Sequence, residues 1–222
     1  RKRAAEELRK AKEAAESANQ TKSAFLSTVT HELRTPINGV IGMTSLLLDT
    51  QLSDDQIDLV NAIRSAGDAL LTQINGVLDF SKIEANRIDL EETDFDLRAC
   101  IEETLDLVAS QATLKGLNLA YVIESDVPLQ IRQDSARLRQ ILANLLSNAV
   151  KFTEVGEVAI LVSTNQQTDS ACELHFAVQD TGIGIPLDRF NRLFQSFSQV
   201  DASTNRRYGG TGLGLSISRD LA

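Results

Sequence analysis

A long apolar repeat constrains this chain more than any other feature. Ala4, Leu8, Ala11, Ala15, Ala18 and Phe25 follow alternating four- and three-residue steps, with Lys22 in the one polar slot. The row continues through Leu26, Val29, Leu33, Ile37, Val40, Thr44 and Leu47. Such spacing draws a seam along one side of a helix and calls for a partner helix. Residues 1–24 are rich in Ala, Glu, Lys and Arg and hold neither Gly nor Pro, which predicts a coiled-coil signal helix there. A turn is expected near Asp49–Ser53. Ser53 and Gln56 then fit a capping box that opens a second helix, with the row Val60, Ile63, Gly67, Leu70, Ile74 and Val77. Each helix carries a second, partial apolar row (Ile41 and Leu48; Leu71 and Leu78). Two rows per helix suit a four-helix bundle made from two hairpins, so a homodimer is expected.

Beyond Glu84 the texture changes, and a domain boundary is expected near residues 86–92. Ile88, Leu90 and Glu92 alternate as a short strand would. Asp96 reads as the cap of a helix to about Leu114, ended by Gly116. Leu117–Ile123 reads as a strand, Asp134 as the cap of a helix through about Val150, and Glu157–Thr164 and Cys172–Val178 as paired strands. A glycine-rich loop follows, then a short helix near Leu187–Phe194, a second glycine cluster and a last helix from about Leu213. This second half is α+β, with helices over a mixed sheet.

Composition narrows the function classes. The 222 residues carry a formal net charge of −9, and the acidic balance argues against non-specific nucleic-acid binding. No uninterrupted apolar run approaches a membrane span, and no signal peptide is visible, so a cytoplasmic location is expected, in a parent protein that membrane anchoring does not exclude. Cys100 and Cys172 lie far apart in apolar patterns and read as free thiols. The chain begins at Arg1 inside a helical pattern, so a piece of a longer protein is expected, with an upstream sensor domain outside it.

Two histidines are present. His175 alternates with Leu174 and Phe176 and reads as a plain strand residue. His31 projects about 200° from the stripe residue Val29, so it is expected on the exposed face, where a surface histidine is the plain reading. Its neighbours change that. Pro36, inside the periodic helix, removes the hydrogen bond to the Glu32 carbonyl and is expected to bend the helix, at a cost of about 3 kcal/mol or more. A costly feature one turn from an exposed histidine points to function. Imidazole at neutral pH has one ring nitrogen free to attack. A carboxylate on the other nitrogen would fix the tautomer and accept its proton, and Glu32 is the nearest candidate in sequence.

His31-Glu32-Leu33-Arg34-Thr35-Pro36, preceded by Phe25-Leu26-Ser27, resembles the H box of the dimerization and phosphoacceptor domain of sensor histidine kinases. The run from Ile37 to Met43 resembles the hybrid-kinase branch. The resemblance implies that His31 is phosphorylated, that Glu32 is its general base, and that Thr35 positions a water for dephosphorylating a response regulator. Arg34 has a plainer alternative, a surface or intrahelical ion pair.

Asp180-Thr181-Gly182-Ile183-Gly184-Ile185-Pro186 follows a strand. The Asp180 carboxylate at a strand end could accept a hydrogen bond from an exocyclic amine, though many tight turns look alike. Gly209-Gly210-Thr211-Gly212-Leu213-Gly214-Leu215 opens a helix, where backbone N–H groups favour anions. It is neither a Walker loop, lacking the Lys-Ser/Thr step, nor a dinucleotide fingerprint. Earlier, Arg137, Gln140, Asn144, Asn148 and Lys151 share one face of a helix whose core side is Leu138, Ile141, Leu142, Leu145 and Leu146. A solvated face is the plain reading. Asn144 and Asn148, poor helix formers without charge, make better sense as oxygen ligands for Mg²⁺ on a triphosphate, with Lys151 answering the phosphate charge.

Together these motifs resemble the N box and glycine boxes of the histidine-kinase ATP-binding domain, the Bergerat (GHKL) fold shared with gyrase. Arg189-Phe190 and Leu193-Phe194-x-x-Phe197 resemble the phenylalanine box and the start of a mobile lid. The resemblance implies that ATP binds with Asp180 on the adenine amino group, in the first glycine box with Gly182 and Gly184, and with Phe152 lining the adenine pocket. It implies Asn144 on Mg²⁺, and Asn148 and Lys151 on the phosphates. Gly210, Gly212 and Gly214, with Thr211 and Leu213 between them, would let the lid close, and Arg206 or Arg207 would reach the γ-phosphate. The family's domain has about two more strands past the last helix, so a C-terminally truncated ATP domain is expected. The expected organisation is a signal helix over 1–24, a dimerization and phosphotransfer domain over 25–86 and an ATP-binding domain over 87–222.

Three functions fit these features. The first is ATP-dependent autophosphorylation of His31, followed by phosphotransfer to an aspartate of a response-regulator receiver domain. The second is an ATP-hydrolysing machine of the same superfamily, but Asn144 stands where those relatives carry a glutamate to activate water. The third is a degenerate kinase that only dimerizes and docks partners, which the intact boxes oppose.

Overall fold

The computed structural model describes residues 2–84, 90–168, 171–195 and 212–222. It divides into two units, Arg1–Ile88 and Asp89–Ala222, taken separately below.

The first unit is a helical hairpin of α1 (Lys2–Leu48) and α2 (Asp54–Glu84). Pro36 lies within α1, which continues through it. The expected capping box opens α2. The Ser53 N–H donates to Gln56 Oε1 at 2.9 Å, and the Gln56 N–H donates to Ser53 Oγ at 3.4 Å. Gly67 sets the approach of the two helices, because a β-carbon there would lie 2.9 Å from Ile41 Cγ1. The single main row expected along α1 is split between two sides of the helix. Ile37, Ile41 and buried Thr44 lie on the side that meets Gly67, whereas Leu33, Val40 and Leu47, seven residues apart on α1, stay exposed with Ile63 and Leu70 on α2.

The second unit is an α+β sandwich. Its elements are β1 (Thr93–Asp96), α3 (Leu97–Lys115), β2 (Asn118–Ile123), β3 (Gln130–Gln133), α4 (Ser135–Phe152), β4 (Glu157–Gln167), β5 (Cys172–Asp180), a 3-10 turn (Leu187–Arg192) and α5 (Gly214–Leu221). A mixed sheet runs β2-β4-β5, with β2 parallel to β4 and β5 antiparallel to it. β1 and β3 form a separate antiparallel pair, from Thr93 opposite Gln133 to Asp96 opposite Gln130. Among the described residues the first strand begins at Thr93, so Leu90 and Glu92 precede it, and Ile88, the start of the expected strand, lies outside the described residues. Its partner β3, with one half-buried apolar residue, Ile131, has too weak a pattern to be read from sequence.

Both helix caps form as expected. Asp96 accepts the Ala99 N–H at 2.8 Å, and Asp134 accepts the Arg137 N–H at 3.0 Å. Gly116 ends α3 in the left-handed conformation at φ 67°. The core lies between α3 and α4 on one side and the sheet on the other. Leu97, Ile101, Leu142, Leu146, Val158 and Ile160 are buried there, and a fully buried leucine contributes about 1.5–3 kcal/mol. On α4 the core row is Leu142, Leu146, Ala149 and Val150, while Ile141 and Leu145 are only half-buried.

Candidate functional site

His31 is exposed on α1, as the stripe predicted, with Glu32 and Thr35 exposed beside it. Pro36 supplies no N–H for the Glu32 carbonyl. One residue earlier, the Thr35 hydroxyl donates to the His31 carbonyl oxygen at 3.3 Å, tying Thr35 to the turn that carries the histidine. Among the described residues Arg34 forms no intrahelical pair. Its guanidinium reaches across the hairpin and donates to Asn75 Oδ1 on α2 at 2.8 Å. Among the described residues no hydrogen bond joins the His31 ring to the Glu32 carboxylate, which adjacent positions on a helix do not favour.

In the second unit α4 organises the candidate residues. Its polar face carries Asn144, Asn148 and Lys151, all half-buried. Two separate loops dock on this helix. Near its middle, Gly214 opens α5 against Asn144. A β-carbon on Gly214 would stand 2.1 Å from Asn144 Oδ1, so the asparagine amide keeps this position only while residue 214 has no side chain. The Asn144 amide also donates from Nδ2 to Ser218 Oγ at 2.8 Å. Just before α5, Gly212 takes a positive φ of 69° and Leu213 is buried.

The other loop docks at the C-terminal end of α4, about 12 Å further along the axis. The Gly182 N–H donates to Asp180 Oδ1 at 2.8 Å, and the Ile183 N–H donates to the Phe152 carbonyl at 3.3 Å. A β-carbon on Gly182 would lie 2.5 Å from that carbonyl. Gly184 follows at φ 68°. Thr181 anchors the far side of the loop: its Oγ1 accepts the Glu157 N–H at 3.0 Å. The Lys151 ammonium lies 5.0 Å from the centroid of the Phe152 ring. Burial holds the Lys151 pKa below its ordinary value.

The structure thus places Asn144, Asn148, Lys151 and Phe152 on one helix and brings Gly182 and Gly214 against it, with Asp180 and Gly184 flanking the first glycine in sequence and Gly212 and Leu213 preceding the second. Arg206, Arg207, Gly210 and Thr211 lie outside the described residues. His175 is an exposed strand residue, as read. Sequence reasoning missed Ser218, whose only signal was its place one turn after Gly214 in a glycine-opened helix. It also gave no role to Thr181, although this residue stands inside the first glycine motif. Among the described residues no group of three or more His, Cys, Asp or Glu could hold a metal. Asn144 and Asn148 offer neutral oxygens, a donor set that suits Mg²⁺ carried on phosphates rather than a resident ion. Among the described residues no helix is long and apolar enough to cross a membrane.

Comparison with known proteins agrees with this geometry. Residues 21–86 match the His Kinase A (phospho-acceptor) domain, and residues 133–222 match the histidine kinase-, DNA gyrase B- and HSP90-like ATPase family. The signal transduction histidine-protein kinase BarA of Escherichia coli K12 is 48% identical over 97% of this chain and 23% of its own length. Sensor protein GacS of Pseudomonas syringae is 44% identical over 97% of this chain and 24% of its own. The chain therefore spans about a quarter of the length of these relatives. The crystal structure of full-length ShkA in complex with AMPPNP superposes with a TM-score of 0.69 at 40% identity, covering 88% of this chain and 40% of that one. With a phosphoacceptor-type hairpin, an ATPase-type α+β sandwich and both family matches in chain order, the chain belongs to the sensor histidine kinases.

Proposed function

We propose that this chain binds ATP with Mg²⁺ on the polar face of α4 and transfers the γ-phosphoryl group to His31. The observation that carries the proposal is the convergence on α4 of the Asp180 loop at one end and the Gly214 turn at Asn144. ShkA, the structural relative, was solved with AMPPNP, an ATP analogue.

In this reading Asp180 accepts the adenine amino group, beside Gly182 and Gly184, and Phe152 lines the base pocket. Lys151 and Asn148 meet the phosphates, and Asn144 Oδ1 serves as one magnesium ligand. Magnesium, when bound, would neutralise the developing phosphate charge. Gly212, Leu213 and Gly214 lie on the phosphate side in this reading, and the roles of Gly210, Thr211 and one of Arg206 and Arg207 there rest on the family resemblance, these four residues lying outside the described ones. His31 Nε2 attacks the γ-phosphorus in line as the bond to the β,γ-bridging oxygen breaks, leaving ADP and phosphohistidine. Glu32 takes the ring proton, and Thr35 orients a water that hydrolyses the aspartyl phosphate of the response regulator. The phosphoryl group then passes to an aspartate of a receiver domain.

The exposed apolar rows Leu33-Val40-Leu47 and Ile63-Leu70 support a homodimer in which two hairpins close a four-helix bundle. The helix over 1–24 would carry the input of an upstream sensor in a cytoplasmic part of the parent protein.

Incubation with γ-labelled ATP and Mg²⁺ tests the reading. Acid-labile, alkali-stable label on the parent chain, absent from His31→Gln, is expected. Label retained in that variant sinks the assignment of His31.

A further inference from the structure

We infer that Lys115 is a positioning residue for the nucleotide site, acting through the C-terminal end of α4; the inference rests on the ATP reading above. The last carbonyls of a helix have no partner within it, and at α4 each of them has a partner of known origin. The Ala149 carbonyl takes the Thr153 N–H at 3.0 Å and the Thr153 hydroxyl at 2.7 Å. The Val150 and Lys151 carbonyls take Lys115 Nζ at 2.8 and 2.9 Å. The Phe152 carbonyl takes the Ile183 N–H at 3.3 Å, and the Thr153 carbonyl takes Lys115 Nζ at 3.1 Å.

One ammonium therefore contacts three carbonyls that bracket Phe152, and Phe152 holds the Asp180 loop. An ammonium has three N–H donors, and a cation is favoured at the negative end of a helix. Val150 and Thr153 are fully buried, so water is a poor substitute. Lys115 is itself well held. It ends α3, the Gly116 N–H turns back to Thr113 at 3.0 Å, and the Leu117 N–H returns to Ala112 at 2.9 Å.

Removing the ammonium leaves the turn that carries Lys151 and Phe152 without its clamp. The Phe152 carbonyl then shifts, and the Ile183 N–H and the Asp180 carboxylate shift with it. Lys115 acts through the Val150, Lys151 and Thr153 carbonyls. Its effect is expected in nucleotide affinity rather than in the chemical step.

The test uses the whole chain, with a fluorescent ATP analogue and Mg²⁺, at a temperature where circular dichroism reports parent and variant equally folded. Lys115→Met is expected to raise the nucleotide Kd about tenfold, the size set by losing hydrogen bonds to a charged donor. It is also expected to speed amide exchange at Ile183 while leaving the β4 amides of Val158, Ile160 and Val162 as they were. Lys115→Arg, with a charge and several donors, is expected to restore most of the affinity. If the methionine variant does not fold, Lys115→Gln is read by the same two measurements. Saturable binding by the parent with an unchanged Kd in the variant overturns the inference, as does equal acceleration at Ile183 and in β4. No saturable binding by the parent overturns the ATP reading and this inference with it.

Discussion

Asn144 occupies the space that a side chain on Gly214 would need. A β-carbon on Gly214 would lie 2.1 Å from the asparagine Oδ1, 2.8 Å from its Cγ and 2.9 Å from its Nδ2. The amide is a flexible terminus and can swing away, so Gly214→Ala is expected to fold. Alanine even favours the α5 helix by up to about 1 kcal/mol. The displaced Asn144 would lose its Ser218 partner and its place toward magnesium. Thermal unfolding is expected to change little, while the magnesium-dependent part of nucleotide affinity falls about tenfold. Titration of the nucleotide with and without Mg²⁺ checks this. An unchanged magnesium dependence would remove Asn144 from the ligand set.

Gly182 presents the opposite case, because its neighbour is backbone. A β-carbon would stand 2.5 Å from the Phe152 carbonyl oxygen, which no rotamer can relieve. Gly182→Ala is expected to lift the loop, break the Ile183–Phe152 hydrogen bond and cost about 1–3 kcal/mol of stability. Denaturant unfolding measures the loss. A stability within experimental error of the parent would contradict the tight docking.

Asp134 caps α4 and holds the chain before β1 through the Glu91 N–H at 3.1 Å. Burial pushes its carboxyl up, but the N–H groups of Arg137 and Glu91 and the Arg137 charge outweigh that and hold the pKa below the ordinary 3.8. A depressed folded-state pKa gives stability that is present above the unfolded value and lost as pH falls through the folded one. Asp134→Ala is expected to cost about 1–2 kcal/mol at neutral pH, with the gap to the parent narrowing in acid. Urea unfolding at neutral pH and at about pH 3 checks both statements.

Lys151 carries a pH signature of the opposite sense. Burial lowers its pKa from the ordinary 10.5, so the charged form is disfavoured in the folded, unliganded chain. That cost is relieved as pH rises through the lowered value toward 10.5. A bound polyphosphate favours the charged form, so binding in that window takes up a proton and weakens as pH rises. Nucleotide Kd followed from neutral pH to about pH 10 is expected to climb more steeply for the parent than for Lys151→Met. Parallel curves would detach Lys151 from the phosphates.

Local chemistry made much of this protein readable from its residues alone. The hairpin followed from seven-residue spacing, because helix geometry converts that period into a seam whatever lies across it. The caps at Ser53, Asp96 and Asp134 and the glycine stop at Gly116 followed because each satisfies backbone groups within a few residues. The exposure of His31 followed from its angle to the stripe. The strands β4 and β5 were legible from alternation, whereas the pair of β1 and β3 was not. Those two short strands hold register by pairing across residues far apart in sequence.

Tertiary structure decided what depends on distant partners. Only packing could split the main apolar row of α1, because sequence does not distinguish Ile37, which faces Gly67 on α2, from Leu33 and Val40, which stay exposed. Arg34 found Asn75 across the hairpin, where sequence offered only surface or intrahelical pairs. The glycines at 182 and 214 look alike in sequence. Folding gave one a rigid carbonyl as neighbour and the other a movable amide. Lys115 had no pattern to announce it. Its role exists because α3 and α4 end side by side, where one ammonium can reach three carbonyls from residues more than thirty positions away in the chain.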